Sequence, residues 1–404
     1  MSQRRPRTLT AALKCCGLVF AAAAACTPAW AVDWGGYFRV GPGGSQSNAS
    51  RACYSLPGDG LKYRLGNECD LYGEFLFSQG FENEGVKYKA AVMFNASAAN
   101  SGGDDADAGL NQVYVEAQGF DVAPNATFWI GKRFYGRADV HIVDTFFTNM
   151  SGVGAGVSDI TAGPGKLAFA WFHSDLDNTR SGNRFNAEFY DLPVNEGGTL
   201  RLVGTLAHGN FSDDPATPAD ESGKSGAGFT VQHKQEGFLG LGGANTMWFQ
   251  LAQGSAALNG NFGDLTAPSG SKAWRLVESF TWQRGSFGGQ ALAMVQRDLP
   301  DAAAKITSMS LGGRAAYAFT RNFKLVGEVG YSQRKADGGP TAKLAKCTLA
   351  PALSTGPGFW SRPELRLYVT TAKWNAAAGN VTGVPAFAGK TSGTSYGAQV
   401  EMWF

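Results

Sequence analysis

The last ten residues of the chain, SYGAQVEMWF, alternate without a break. Tyr396, Ala398, Val400, Met402 and Phe404 fall on one face of an extended strand, and Gln399, Glu401 and Trp403 fall on the other. One face is apolar to its final residue; the other carries an amide, a carboxylate and an indole. A strand with lipid on one side and a watery lumen on the other has this pattern, with an aromatic at the membrane boundary. The edge strand of a soluble sandwich satisfies it too, so other segments have to decide.

They repeat it. In VDWGGYFRV, Trp34, Phe38 and Val40 oppose Asp33, Tyr37 and Arg39. In FKLVGEVGYSQRK, Phe323, Leu325, Val329 and Tyr331 alternate with Lys324, Glu328 and Ser332. In WSRPELRLYVTT, Leu365, Leu367 and Val369 oppose Arg362, Glu364, Arg366 and Tyr368, and Trp360 has the parity of the charged face. Four such strands, spread from one end to the other, predict a single closed all-β sheet over residues 32–404. Closure leaves no edge to aggregate and no backbone group unpaired in lipid. The expected architecture is a transmembrane antiparallel β-barrel, which places the chain as a multi-pass protein in the lipid bilayer.

The parity carries a functional hint. Tyr37, Trp360 and Trp403 sit on the polar face, where a membrane barrel holds water. A single ring there packs against an inward loop often enough. Several, interleaved with Arg39, Arg362, Glu364 and Glu401, point to a carbohydrate path. Flat sugar faces lie on aromatic rings while hydroxyls meet charged partners.

Composition narrows the choice. Net charge is only +2, which is not the balance of a nucleic-acid-binding chain. The first 31 residues are set apart: Arg4, Arg5, Arg7 and Lys14 precede an apolar stretch from Cys16 to Cys26, and Ala29-Trp30-Ala31 closes it with small-x-small spacing. This is the pattern of a secretory signal peptide. Cys26 raises the rival of lipid attachment, but Ala23 stands three before it where a leucine is expected. Beyond residue 31 no apolar run reaches the ~18 residues of a spanning helix. Three cysteines remain, and an oxidising compartment favours pairing Cys53 with its near neighbour Cys69, leaving Cys347 as a free thiol. Such a loop restricts the unfolded chain by roughly 3 kcal/mol.

The densest candidate chemistry is GKRFYGRADVHIVD, residues 131–144. An enzyme reading fails on its parts. No serine or cysteine context resembles a nucleophile elbow, and no H-E-x-x-H metal signature occurs. A metal on His141 with Asp139 and Asp144 would rest on one histidine. Asp139 and Asp144 suit glycoside hydrolysis by type, but a neighbouring arginine lowers a carboxylate pKa and opposes a protonated acid. Neither metal nor cofactor is expected. The bland reading, charges pairing on a solvated wall, fits His141 best, with support of a loop as its task. The following TFFTNMSGVGAGV has the glycines for tight turns, and Phe146 and Phe147 for anchoring.

Six long motifs, in order, resemble the maltoporin family: VDWGGYFRVG, KYRLGNECDLYGE, WIGKRFYGRADVHIVD, SGVGAG, WSRPELRLYVTTAKW and YGAQVEMWF. The resemblance covers the chain from residue 32 and is weaker between about 195 and 320. It implies an outer-membrane barrel of about 18 strands with an inward-folded constriction loop, assembled as a homotrimer, through which maltose and maltodextrins diffuse passively. It implies an aromatic slide at Tyr37, Tyr72, Trp360 and Trp403. It implies a polar track at Arg39, Arg64, Glu74, Arg137, Asp139 and Asp144, and a disulfide between Cys53 and Cys69. The sequence departs from the family in several places. Phe146 stands where a pore-narrowing tyrosine is expected, Asn111 replaces a track arginine, and NSGGDDADAG lacks the aromatic that a neighbouring subunit would receive. The middle aromatic of the slide falls near Ala244, with Trp248 close by. The rivals are a general diffusion porin without sugar selectivity and a secreted carbohydrate-active enzyme.

Overall fold

The protein is described here by a computed structural model covering residues 32–46, 49–102, 105–176, 180–213 and 220–404. The expected signal peptide, 1–31, lies outside the described residues. In chain order the strands are β1 (Asp33–Val40), β2 (Gly43–Ser45), β3 (Leu71–Asn83), β4 (Val86–Ala98), β5 (Asp107–Gln118), β6 (Thr127–Arg133) and β7 (Ala138–Val140). Next come β8 (Thr145–Thr148), β9 (Gly152–Ala162), β10 (Gly165–Leu176), β11 (Arg180–Asn195), β12 (Gly198–Gly209), β13 (Ser225–Glu236) and β14 (Ala244–Gln253). The last are β15 (Lys272–Arg284), β16 (Phe287–Leu299), β17 (Ile306–Ala318), β18 (Phe323–Ala336), β19 (Thr341–Ser354), β20 (Glu364–Trp374) and β21 (Ser392–Trp403).

β1 and β2 form one wall strand interrupted at Gly41–Pro42, and both pair with β21. β7 and β8 pair only with each other. The rest join neighbour to neighbour, so that 18 antiparallel strands close into a barrel, with β1 bridging β3 and β21 at the seam. The predicted alternation is realised side chain by side chain. Along β20, Arg366 is 2% exposed and Leu367 62%. In a bacterial outer membrane the outward row meets hydrocarbon, and the aromatic pairs Trp34–Phe404 and Tyr317–Phe319 stand at the rim of short turns, the periplasmic one. Cys347 is a free, exposed thiol on the outward face of β19.

The hydrophobic core lies inside the barrel. Leu61, Tyr63 and Leu65 of the first long loop pack with Val140, Ile142, Val143 and Phe147 of the segment between β6 and β9. Both rest on inward-facing wall residues, among them Val277, Leu292 and Val326. A loop buried in a lumen must have its backbone groups satisfied. The wall does this: Gln290 accepts from the Ile142 amide at 3.2 Å, and Gln250 donates to the Phe147 carbonyl at 2.6 Å. Arg184 donates to the carbonyls of Met150, at 2.7 Å, and Gly260, at 3.0 Å. The Arg64 amide donates to the Ile142 carbonyl at 3.0 Å, tying the two inward segments together. Cys53 and Cys69 are bonded as expected and close the first loop.

Tyr63 explains two glycines of the wall. Its ring lies across Gly312 and Gly330, where a Cβ would overlap it, and its hydroxyl meets Ser310 at 2.9 Å. Gly330→Ala is expected to lift the ring and cost about 1–3 kcal/mol, the usual range for overpacking. Thermal unfolding followed by gel mobility, with proteolysis of residues 51–69 alongside, measures this. An unchanged midpoint and unchanged cleavage would remove Tyr63 as an anchor.

Candidate functional site

Strand pairing at the seam brings the expected aromatic residues into one line. Tyr37 and Trp403 are register partners across β1 and β21. Tyr72, at the start of β3, lies 6.2 Å from Tyr37 between ring centres, and Trp360 lies 6.4 Å from Trp403. The order Tyr72, Tyr37, Trp403, Trp360 runs from the long-loop end towards the short-turn rim. Trp360 arrives differently from the expectation. It lies in the turn before β20, so strand parity does not govern it, and it is 40% exposed. His141 holds it in place, packing edge-on against Trp360 at 5.3 Å and Trp403 at 5.5 Å.

The charged residues of this wall are paired with one another. Arg39 bonds Glu68 at 2.9 Å, Asp70 at 2.7 Å and Asp144 at 3.3 Å. Arg64 bonds Glu68 at 2.8 Å, Glu401 at 3.1 Å and Asp144 at 3.5 Å. Glu401 also takes Arg362 at 2.9 Å and Arg366 at 3.3 Å. The Tyr37 hydroxyl donates to Glu401 at 3.2 Å and accepts from Arg64. On the Tyr72 side the phenol donates to Glu74, and Asn111 donates to the same carboxylate at 2.8 Å. Asn111 thus serves Glu74 with a neutral amide.

Arg137 stands apart. Its guanidinium lies 3.9 Å from the ring centre of Phe134 and 3.7 Å from that of Phe146, and its buried Nε has no partner among the described residues. Burial between the rings lowers its pKa, against the pull of Glu74 and other anions. Phe146 therefore does more than fill space: it clamps the guanidinium.

The carboxylates of the inward segment behave oppositely. Burial alone would raise Asp144, but Arg64, Arg39 and Lys62 hold it down at about 2. It stays ionised and cannot serve as a general acid. Asp139 is raised, because loss of water on burial outweighs Arg64 and Arg137, contrary to the expectation that arginine would lower both. Burial, assisted by Arg64, lowers His141 to about 4, so the imidazole is neutral at pH 7, as a packing support requires.

The expected slide residues come together, and so do Arg39, Arg64, Asp144 and, beside Tyr72, Glu74. Trp248 is not a member of the line: it is buried under Phe147, ring centres 5.5 Å apart. Lys62, Glu68 and Asp70 were missed. They lie in a loop without periodicity, and nothing in their spacing marks them. Arg366 and Glu401 do carry a signal, since parity puts them on the polar face.

Among solved structures, the chain is similar to an anion-selective porin from Comamonas acidovorans, at 14% identity and a TM-score of 0.48, covering 93% of this chain and 99% of that one. It is also similar to OccAB2 of Acinetobacter baumannii, at 9% identity and a TM-score of 0.49, covering 92% and 98%. A third is OccK3 of Pseudomonas aeruginosa, at 11% identity and 0.47, covering 92% and 96%. The LamB porin family matches residues 32–404, the barrel from its first strand to its last residue. On that match the chain belongs to the LamB porin family, and it is a porin of the bacterial outer membrane.

Proposed function

We propose that the porin is sugar-selective and passes maltose, maltodextrins or related oligosaccharides by passive diffusion. The observation that carries this reading is the continuous line of Tyr72, Tyr37, Trp403 and Trp360, flanked by the ion-pair network. Pyranose faces slide from ring to ring, while Arg39, Arg64, Glu74, Asp139 and Asp144 exchange hydrogen bonds with hydroxyls. Many partners of similar strength keep each bound position shallow, as conduction demands. The segment carrying Arg137, Asp139, Asp144 and Phe146 acts as the constriction. The working assembly is a homotrimer, exported under the signal peptide 1–31, without catalysis or cofactor.

The test is single-channel recording with a panel of saccharides. Saturable current block that deepens with maltodextrin length supports the reading. Equal permeation of size-matched sugars without block supports the second reading, a general diffusion porin. One observation favours that alternative: Arg39 and Arg64 already spend hydrogen bonds on Glu68, and Arg64 on Glu401.

Phe146→Ala removes one jaw of the clamp on Arg137. A cation–π contact of about 0.5–2 kcal/mol is lost, so saccharide block weakens roughly threefold or more and open-channel conductance rises. Conductance and block equal to the parent's would remove Phe146 from the constriction.

A further inference from the structure

Across the lumen from the aromatic line, the wall of β9–β13 is distorted twice. Between β9 and β10 the register slips, so that Ser158 and Asp159 together oppose Ala168, and Asp159 takes a φ of 62°. Between β11 and β12 it slips again, so that Tyr190 and Asp191 together oppose Arg201, and Asp191 takes a φ of 53°. Lys166 spans the two bulges, bonding Asp159 at 3.5 Å and Asp191 at 3.3 Å. A non-glycine residue held at positive φ costs on the order of 1 kcal/mol, and bulges serve to re-aim side chains. Two in adjacent hairpins frame one feature.

That feature is a cavity of about 330 Å³. Tyr135 and Gly136 of the inward segment cover it, and Ala168, Glu188, Arg201 and Gln232 form its wall. Its volume is at the lower end of the ~300–1,000 Å³ of small-molecule sites. Arg201 bonds Glu188 through two nitrogens and also donates to the Gly136 carbonyl at 3.2 Å. The ion pair neutralises itself, Asp191 is taken by Lys166, and Lys234 by Glu236 at 2.5 Å. The buried Oε1 of Gln232 has no hydrogen-bond partner among the described residues. The recess thus offers two tyrosine rings, balanced charge and an unused acceptor. An anion would meet Glu188 and Asp191, and a cation Arg201 and Lys234, whereas a neutral polyhydroxyl finds donors and acceptors of both kinds.

We propose that this recess is a second saccharide subsite, which takes one terminal pyranose of a neutral oligosaccharide off the aromatic line near the short-turn rim. The proposal rests on the sugar-conducting reading above. It shares no residue with the line, so the two can be separated.

Current block by maltotriose, added on the short-turn side, is measured for the wild type, Trp403→Ala, and Trp403→Ala combined with Ala168→Phe or with Gln232→Ala. Phenylalanine at 168 fills the recess, and the milder Gln232→Ala decides the matter if the filled barrel does not fold. The expected result is a weaker but still saturable block in Trp403→Ala, weakened several-fold further by Ala168→Phe and by Gln232→Ala. Loss of all saturable block in Trp403→Ala alone, or residual block untouched by both second substitutions, overturns the subsite and leaves the aromatic path standing. Absence of block in the wild type sinks the sugar-conducting reading and the subsite with it.

Discussion

Trp403→Ala is expected to weaken saccharide block about tenfold, the equivalent of about 1.4 kcal/mol, while ion conductance stays close to the parent's. Trp403 is one of the two inner rings of the line. It is the register partner of Tyr37, it neighbours Trp360, and Arg362 lies 4.3 Å from its ring centre. Removing it breaks the continuity between the two pairs, so a sugar leaving Tyr37 has no apolar face to reach. The charges that set ion flow are left in place. Titration of block in planar bilayers reads the effect, and an affinity equal to the parent's would end the case for a stacking path.

Glu401→Gln should have the largest structural consequence. The carboxylate is fully buried and faces Arg64, Arg362 and Arg366, with the Tyr37 hydroxyl donating to it. The amide keeps the shape and removes the charge. Three guanidinium groups then share Glu68, Glu364 and Asp144 only, and an uncompensated buried charge costs about 3 kcal/mol or more. We expect a lower unfolding temperature by gel mobility, together with a shift of reversal potential towards anion preference. An unchanged midpoint and an unchanged potential would show that the remaining carboxylates suffice.

Much of this was legible in the sequence. The period-two pattern of residues 395–404 and 364–371 sets wall faces directly, because a strand has only two sides. Tyr37, Arg366, Trp403 and Glu401 are placed by parity alone. The inward loops have no such rule. Glu68 and Asp70 enter the network through the path of residues 51–70, and Trp360 through a turn that parity does not reach. The clamp of Phe134 and Phe146 on Arg137 depends on how a short hairpin folds back, and so does the burial of Trp248. The paired bulges at Asp159 and Asp191 left no mark, since aspartate at positive φ is common in ordinary turns.

The seam between the first and last wall strands has a consequence for assembly. Tyr37 and Glu401, 364 residues apart, touch only when β1 meets β21. Contacts of such separation form late, after the chain entropy of the whole loop has been lost. The ring line therefore cannot exist in a half-closed barrel. An unfinished molecule carries neither the indole–phenol step nor the Arg64–Glu401 ion pair, so the ring line doubles as a record that the cylinder has been sealed.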